Sequence, residues 1–499
     1  MPHKPIDWIG RSRGLRFETR DFVAGRWCTP KSGSLEKFSP RDGNLLCCFG
    51  EATSAEIDQI VSTTRHAYDD GRWSRLPVQR RKEILYRLAA LIEHNAEEFA
   101  LRECLDVGKP ISNALQVDVP AAAACIRFSA EASDKCYGKV FAVDQTSLSY
   151  DLLRPMGVVA AIVGWNFPLH LAAQKIGPIL ATGNTLLLKP SELTSFSASR
   201  VAELAIEAGV PEGVFNVVNG GAQVGAALAR HPGIDCLSFT GSCQTGKRVL
   251  IASGESNMKR LVLECGGKAP NIVFDDCADL TAAADAIVTS AFRNQGQVCV
   301  ASSRLLVQSS IRSELLEAVI QRAAMISIGD PLDSRTQYGA LISREHKNKV
   351  LNYIAVATRE GAVLAYQGSD APPFENGFYI PPTIFDRVLP QQRIAQEEIF
   401  GPVLSVITFR DEAEAVEIAN GTIYGLSATL WTRDAGRAHR VSQSIDAGMI
   451  TVNSAARAAG GPSDDVLSVG GHKQSGIGVE GGIDGLGAYL RRSVVQIFS

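Results

Sequence analysis

Three side chains in this 499-residue chain have the types and settings for acyl chemistry. Cys299 lies in FRNQGQVCVASSR (Phe292 to Arg304), after a Gly-Gln-Val turn that can present a thiol as a nucleophile. Thirty-five residues upstream, Glu264 ends the apolar run of LVLECGGK, just before two glycines. A carboxylate there is costly to bury unless it has a partner or a task. Asn166 closes another apolar run in GWNFP, where its amide can donate to an oxygen on which charge develops. A single cysteine is usually a small buried hydrophobe. Its company with a carboxylate and an amide donor makes Cys299 a candidate.

These residues need a scaffold, and the sequence alternates from Pro155 onward. GVVAAIVGWN, NTLLLKP, GVFNVVNG and CLSFTG are short and nearly all apolar, the pattern of parallel strands buried on both faces. Helical spacing between them predicts helices over about 169–180, 195–208 and 222–230. Such β-α-β alternation implies an α/β, doubly wound sheet. Ligands bind beyond the carboxyl ends of its strands, so Asn166, Lys189 and Ser242 should point into one crevice. A second series follows Gly267, with NIVF, RLLVQSS and VLSVITF as strands and helices near 280–292 and 310–325. The expectation is two doubly wound α/β domains with a cleft between them. Residues 1–138 and 156–266 would bind a dinucleotide, and 267–470 would carry the catalytic cysteine. Strands at 147–153 and 488–498 would pair as a small β oligomerisation extension spanning 139–155 and 471–499. The first fifty residues read as short extended pieces, followed by helices over 54–68 and 78–105. The Ala- and Gly-rich stretch 455–471 reads as a loop at the mouth of a site.

Composition narrows the class. The chain is 45% apolar and 21% charged with a net charge of −3, which suits a globular protein and argues against nucleic acid. No apolar run is long enough to span a membrane, and MPHKPIDWIGRSRG lacks the apolar core of a signal peptide. Eleven scattered cysteines without C-x-x-C spacing fit reduced thiols in the cytoplasm, not a disulfide framework or a metal site. GSCQTGKR (241–248) nearly matches a phosphate loop, but Arg248 stands where a magnesium-binding hydroxyl is required. An ATPase is set aside.

Taken together, GWNFP (164–168), LLLKPSE (186–192), FTGS (239–242), LECGGK (263–268), FRNQGQVC (292–299) and EEIFGPV (397–403) resemble the aldehyde dehydrogenase superfamily over nearly the whole chain. The chain also looks similar to its aminoaldehyde and γ-glutamyl-aminobutyraldehyde branch. The resemblance implies Cys299 as nucleophile, Asn166 as oxyanion donor, Glu264 as general base and Lys175 as an accessory proton relay. It further implies a nicotinamide dinucleotide held by Trp165, Lys189, Glu192, Gly241, Ser242, Glu398 and Phe400. Glu192 can accept from ribose hydroxyls and would repel a 2′-phosphate, so NAD is expected over NADP. The substrate would be a small-molecule aldehyde, and the enzyme a dimer or tetramer.

Departures from the family cluster where the aldehyde should enter. Gln174 replaces a common aromatic, Ser468 and Val469 replace a proline and phenylalanine, and 120–125 offers small side chains. Leu171, Gln174, Val298, Val300 and Arg457 are the candidate lining, and they suggest an aldehyde larger or more polar than a short alkyl one. Cys265, where the family usually has leucine, would fill core volume or approach Cys299. Two rivals share the scaffold: an enzyme passing the acyl group to coenzyme A, for which Glu264 would be superfluous, and a catalytically silent protein.

Overall fold

A computed structural model of the chain describes residues 6–143, 146–369, 372–454 and 466–498. The apolar strands are β1 (Val158–Ile162), β2 (Thr185–Lys189), β3 (Phe215–Val217) and β4 (Cys236–Thr240), with few exposed side chains among them. Helices α1 (Pro168–Ala181), α2 (Phe196–Ala208) and α3 (Ala222–Arg230) connect them in turn. After β4, helix α4 (Cys243–Gly254) leads to β5 (Arg260–Glu264).

The strands lie in the order β3-β2-β1-β4-β5, all parallel. The chain therefore winds outward through β2 and β3, then returns to the other side of β1. That reversal opens a crevice at the carboxyl ends of β1 and β4. The register fixes which residues share this edge, pairing Ile162 with Lys189 and Thr240 with Glu264. Antiparallel strands Asp21–Val23 and Gly476–Ile477 extend the sheet at its two sides.

The second sheet contains β6 (Pro270–Val273) and β7 (Arg304–Gln308) at its centre, joined by α5 (Leu280–Phe292). Strands Val403–Phe409 and Ser427–Trp431 flank them in parallel. A third, outlying sheet pairs Leu490–Phe498 with Ser147–Pro155 along nine residues, as the sequence suggested. Of the segment 471–499, only that final strand lies in it; Gly476 and Ile477 instead pair with Glu264 and Leu263.

Some expectations need correction. The helix read over 78–105 is two helices, Val78–His94 and Ala96–Val107. They meet at Asn95 (φ −99°, ψ 24°), whose side chain donates to the Leu91 carbonyl at 2.7 Å. An asparagine that bonds its own backbone competes with helix continuation. A short helix, Trp8–Gly14, was not foreseen; Asp7 caps it by accepting the Gly10 N–H at 2.8 Å. Within 120–125, Pro120 and Ala124 are partly exposed. Ala121, Ala122, Ala123 and Cys125 are buried, the last three in the core that also takes up α1. Their size serves close helix packing. Residues 455–465, including Arg457, lie outside the described residues.

Candidate active site

The cysteine segment begins where α5 ends at Phe292. Asn294 and Gln295 follow with left-handed φ of 48° and 59°, and Gly296 with 70°. Asparagine tolerates this conformation, but a run of such residues must be held by its surroundings. Asn294 Nδ2 donates to the Asn166 carbonyl at 3.0 Å, and Asn166 Nδ2 donates to the Gln297 carbonyl at 2.9 Å. Gln297 is tied in turn: its Oε1 accepts the Ile342 N–H at 2.9 Å, and its Nε2 donates to the Asn294 carbonyl at 3.1 Å. Asn166 and the cysteine loop are thus locked to each other by reciprocal bonds. A Cβ on Gly267 would stand 2.6 Å from the Cys299 carbonyl oxygen, so only glycine lets the β5 exit lie against this loop.

Cys299 is partly exposed. Burial of its surroundings, then Glu398 and Glu264, push its thiol up to about 12, so at rest it holds its proton. Glu264, at the end of β5, is pushed up to about 7 by burial against the opposing pull of Lys175. Its Oε1 is buried with no hydrogen-bond partner within the chain. A carboxyl poised near neutrality, with one oxygen to spare beside a thiol, is equipped to exchange protons.

Behind Glu264 stands Lys175, fully buried on α1 and lowered to about 8 by desolvation. It forms a close ion pair with Glu480. Glu480 is held by a two-way backbone bridge to Val469, each N–H donating to the other's carbonyl at 2.8 Å. Ser238 Oγ lies 3.4 Å from Glu480, and Tyr489 donates to Ser238 at 3.0 Å. Lys175, Glu480, Ser238 and Tyr489 thus form a chain of polar groups, with Lys175 coupled to Glu264 by charge. Glu480 stands in the turn GIGVEGG (476–482) and is not among the residues that the sequence motifs single out.

The remaining candidate residues make the following contacts. Trp165 meets Phe400 edge-on at 5.1 Å between ring centroids and His346 at 5.3 Å. Phe400 has a left-handed φ of 60°, and its carbonyl lies 2.7 Å from His346 Nε2. Glu398 accepts the Gly267 N–H at 3.0 Å. Lys189 is buried at the end of β2 and lies 3.7 Å from Glu192, which is half exposed. Ser242 is exposed and caps α4, accepting the Thr245 N–H at 3.3 Å, while Gly241 N–H donates to the Glu264 carbonyl at 3.0 Å. The N-terminus of α4 thus opens on the crevice, a setting that suits an anion.

A family model described as the aldehyde dehydrogenase family matches residues 27–495. The chain belongs to the aldehyde dehydrogenase family. It is 43% identical over 497 residues to the NADP/NAD-dependent aldehyde dehydrogenase PuuC of Escherichia coli, covering 99% of both chains. It is also 43% identical to an aminoacetaldehyde dehydrogenase of Pseudomonas aeruginosa, covering 93% of this chain and 92% of that one. Its backbone matches an indole-3-acetaldehyde dehydrogenase crystallised with NAD+ at a TM-score of 0.96, with 46% identity and 99% of each chain covered. The fold expected from the sequence, and the activity of an aldehyde dehydrogenase using a nicotinamide dinucleotide, hold.

Beside the dehydrogenase's cysteine loop lies a cavity of about 280 Å³ lined by Lys109, Asn113, Asp118, Phe167, Arg293 and Gln337, among others. Lys109 Nζ sits 4.3 Å from the centroid of Phe167, and the Arg293 guanidinium 5.5 Å from it. Phe167 and Arg293 stand inside GWNFP and FRNQGQVC, so the motifs contained this wall. Of the candidate lining read from the sequence, Leu171 and Gln174 are partly exposed one turn apart on α1, Val300 is partly exposed, and Val298 is buried. No metal-binding cluster occurs among the described residues.

Proposed function

We propose that this enzyme oxidises a polar aldehyde to its carboxylic acid through a thioester on Cys299, with NAD as its dinucleotide. The observation that carries this reading is Glu264: a buried carboxyl near 7 beside the thiol, with an oxygen left unbonded. The crevice fits the dinucleotide on its own features, an exposed helix N-terminus at the switch point and a half-exposed carboxylate beyond β2. Trp165, Lys189, Glu192, Gly241, Ser242, Glu398 and Phe400 would hold it. When bound, it supplies the hydride acceptor.

The chain's own groups do the rest. Sulfur bonds to the aldehyde carbon as the Cys299 proton leaves to solvent. The second N–H of Asn166 and the Cys299 backbone N–H meet the oxygen that gains charge. Losing one such donor typically costs ~3 kcal/mol, or ~100-fold in rate. Once the thioester stands, Glu264 takes a proton from water, whose oxygen attacks the acyl carbon and releases the acid and the thiol. Lys175 and Glu480 then carry the proton inward. Transfer to coenzyme A would have no use for that base.

The aldehyde's tail is assigned to the cavity beside Phe167. The lining carries two cations, Lys109 and Arg293, against one carboxylate, Asp118, which favours a carboxylate or amide oxygen over a free ammonium. Glu192 supports NAD over NADP by the repulsion argued above. Residues 1–138 and 156–266 form the dinucleotide-binding domain in this reading, 267–470 the catalytic domain, and 139–155 with 471–499 the extension. Val140, Leu148, Val494 and Phe498 of the outlying sheet are exposed apolar residues that self-association would cover, in a dimer or tetramer. Eleven free thiols suit the cytoplasm.

An NADH-release screen of ω-carboxy, amino, aromatic and long-chain aldehydes, with NADP in parallel, tests the substrate and the dinucleotide together. Turnover is expected to be highest with a polar oxygen-bearing tail and NAD. Cys299→Ala is expected to bind NAD without turnover, and any retained oxidation would overturn the mechanism.

A further inference from the structure

Two sulfur atoms meet at the floor of the crevice, and the oxidation just described uses neither. Cys243 is the first residue of α4, directly after Ser242. Cys265 directly follows Glu264 at the exit of β5. The side chain of Cys265 faces the first turn of α4, where Cys243 is its neighbouring thiol. Gly246, one turn along α4, makes room for this contact, since a Cβ there would stand 2.7 Å from Cys265 Sγ. Cys243 is partly exposed and packs against the core in which Cys265 is buried.

The environment divides the labour. The neighbouring Cys265 thiol, and after it the Gly266 backbone, lower the Cys243 pKa against the effect of burial. Cys243, together with burial, raises that of Cys265. A partly exposed sulfur with a lowered pKa, backed by a buried thiol, is the arrangement of a reacting and a resolving cysteine.

We propose that Cys243 and Cys265 form a dithiol oxidised by hydroperoxides, and that its disulfide closes the crevice to the dinucleotide. The second half rests on the crevice being the NAD site. The Cys243 thiolate attacks the O–O bond and becomes a sulfenic acid as the alcohol or water leaves with a proton. The Cys265 sulfur then displaces the sulfenic oxygen as water, forming the S–S bond. Two sulfurs each lose one electron, and the peroxide takes up both. The crosslink joins the first turn of α4 to the segment that carries Glu264 on one side and Gly267 on the other. A Cβ on Gly266 would lie 2.1 Å from Glu398 Oε2, and Gly267 N–H holds that same carboxylate. A pull on residue 265 therefore reaches both acids.

The test uses the full-length Cys299→Ala protein, so that oxidation of the nucleophile does not intervene. After hydrogen peroxide treatment and alkylation, peptide mass spectrometry should find residues 243 and 265 crosslinked, with loss of NAD binding that dithiothreitol restores. Free alkylated thiols at both positions, or a crosslink from either to another cysteine, would overturn the dithiol. A 243–265 crosslink with unchanged NAD binding would overturn the closure. Failure of the reduced protein to bind NAD counts against the crevice as the dinucleotide site, and leaves the crosslink result standing by itself.

Discussion

The two sides of the active site are held by different means. Asn166, Lys189, Ser242 and Glu264 stand at or just beyond the carboxyl ends of parallel strands, and a register of buried apolar pairs fixes their spacing. Cys299 rides on a loop with Asn294, Gln295 and Gly296 in the left-handed region, facing Phe400 in the same region. Each such non-glycine residue costs ~1 kcal/mol or more. Side-chain amides hold that loop: Asn294 on Asn166, and Gln297 on Ile342. The sheet positions groups that bind and exchange protons, whereas strain and amides position the nucleophile. Damage should therefore differ in kind on the two sides.

Short of losing the nucleophile itself, the largest loss is expected on the sheet side, from Glu264→Gln. A positioned base contributes ~10²–10⁴-fold, so steady-state turnover should fall by about 10³-fold while the first acyl transfer still releases a burst of NADH. In the unaltered enzyme, turnover should rise with pH through about 7, because the ionised form of Glu264 is the active one and its proton is lost above that value. Rapid-mixing traces across pH 5–9 check both. Absence of a burst would mean that Glu264 serves the attack more than the hydrolysis.

On the loop side, Gly296→Ala is the sharper probe. A Cβ there would lie 2.4 Å from the Gly401 carbonyl oxygen at a φ of 70°. The loop must move, and a displacement of about 1 Å at a nucleophile can cost ~100-fold. Because the sheet is untouched, NAD affinity should be preserved while kcat falls by that order. Equal losses of binding and rate would show that the two sides are not separable.

How far the sequence revealed this arrangement follows the same division. Strands of four or five apolar residues between amphipathic helices are set by local periodicity, so the doubly wound sheet and its strand-end residues were legible. Glu264 and Asn166 could be placed because each closes such a run. Glu480 could not, because its role depends on residues 476–477 returning to pair with β5, a contact more than two hundred residues apart along the chain. The break at Asn95 turns on one side-chain bond inside a strongly periodic stretch. The pairing of Cys265 with Cys243 needed the packing of α4 against β5, which neither segment announces by itself.

The smallest effect, and the one that tests the long-range contact, belongs to Glu480→Gln. Lys175 is buried and lowered to about 8 by desolvation, opposed first by Glu264, and it is ion-paired with Glu480. Without the Glu480 carboxylate, Lys175 should lose its proton at lower pH. Glu264 would then lack the cation that holds its own pKa down, and its midpoint would rise above about 7. A rise of one unit leaves about a tenth of the ionised base on the acid limb. The variant should therefore be about tenfold slower at pH 6.5 and recover toward pH 9, with NAD affinity unchanged. A uniform loss across the pH range would mark Glu480 as a brace for the loop at Val469. A displaced profile with full recovery would mark it as part of the proton path.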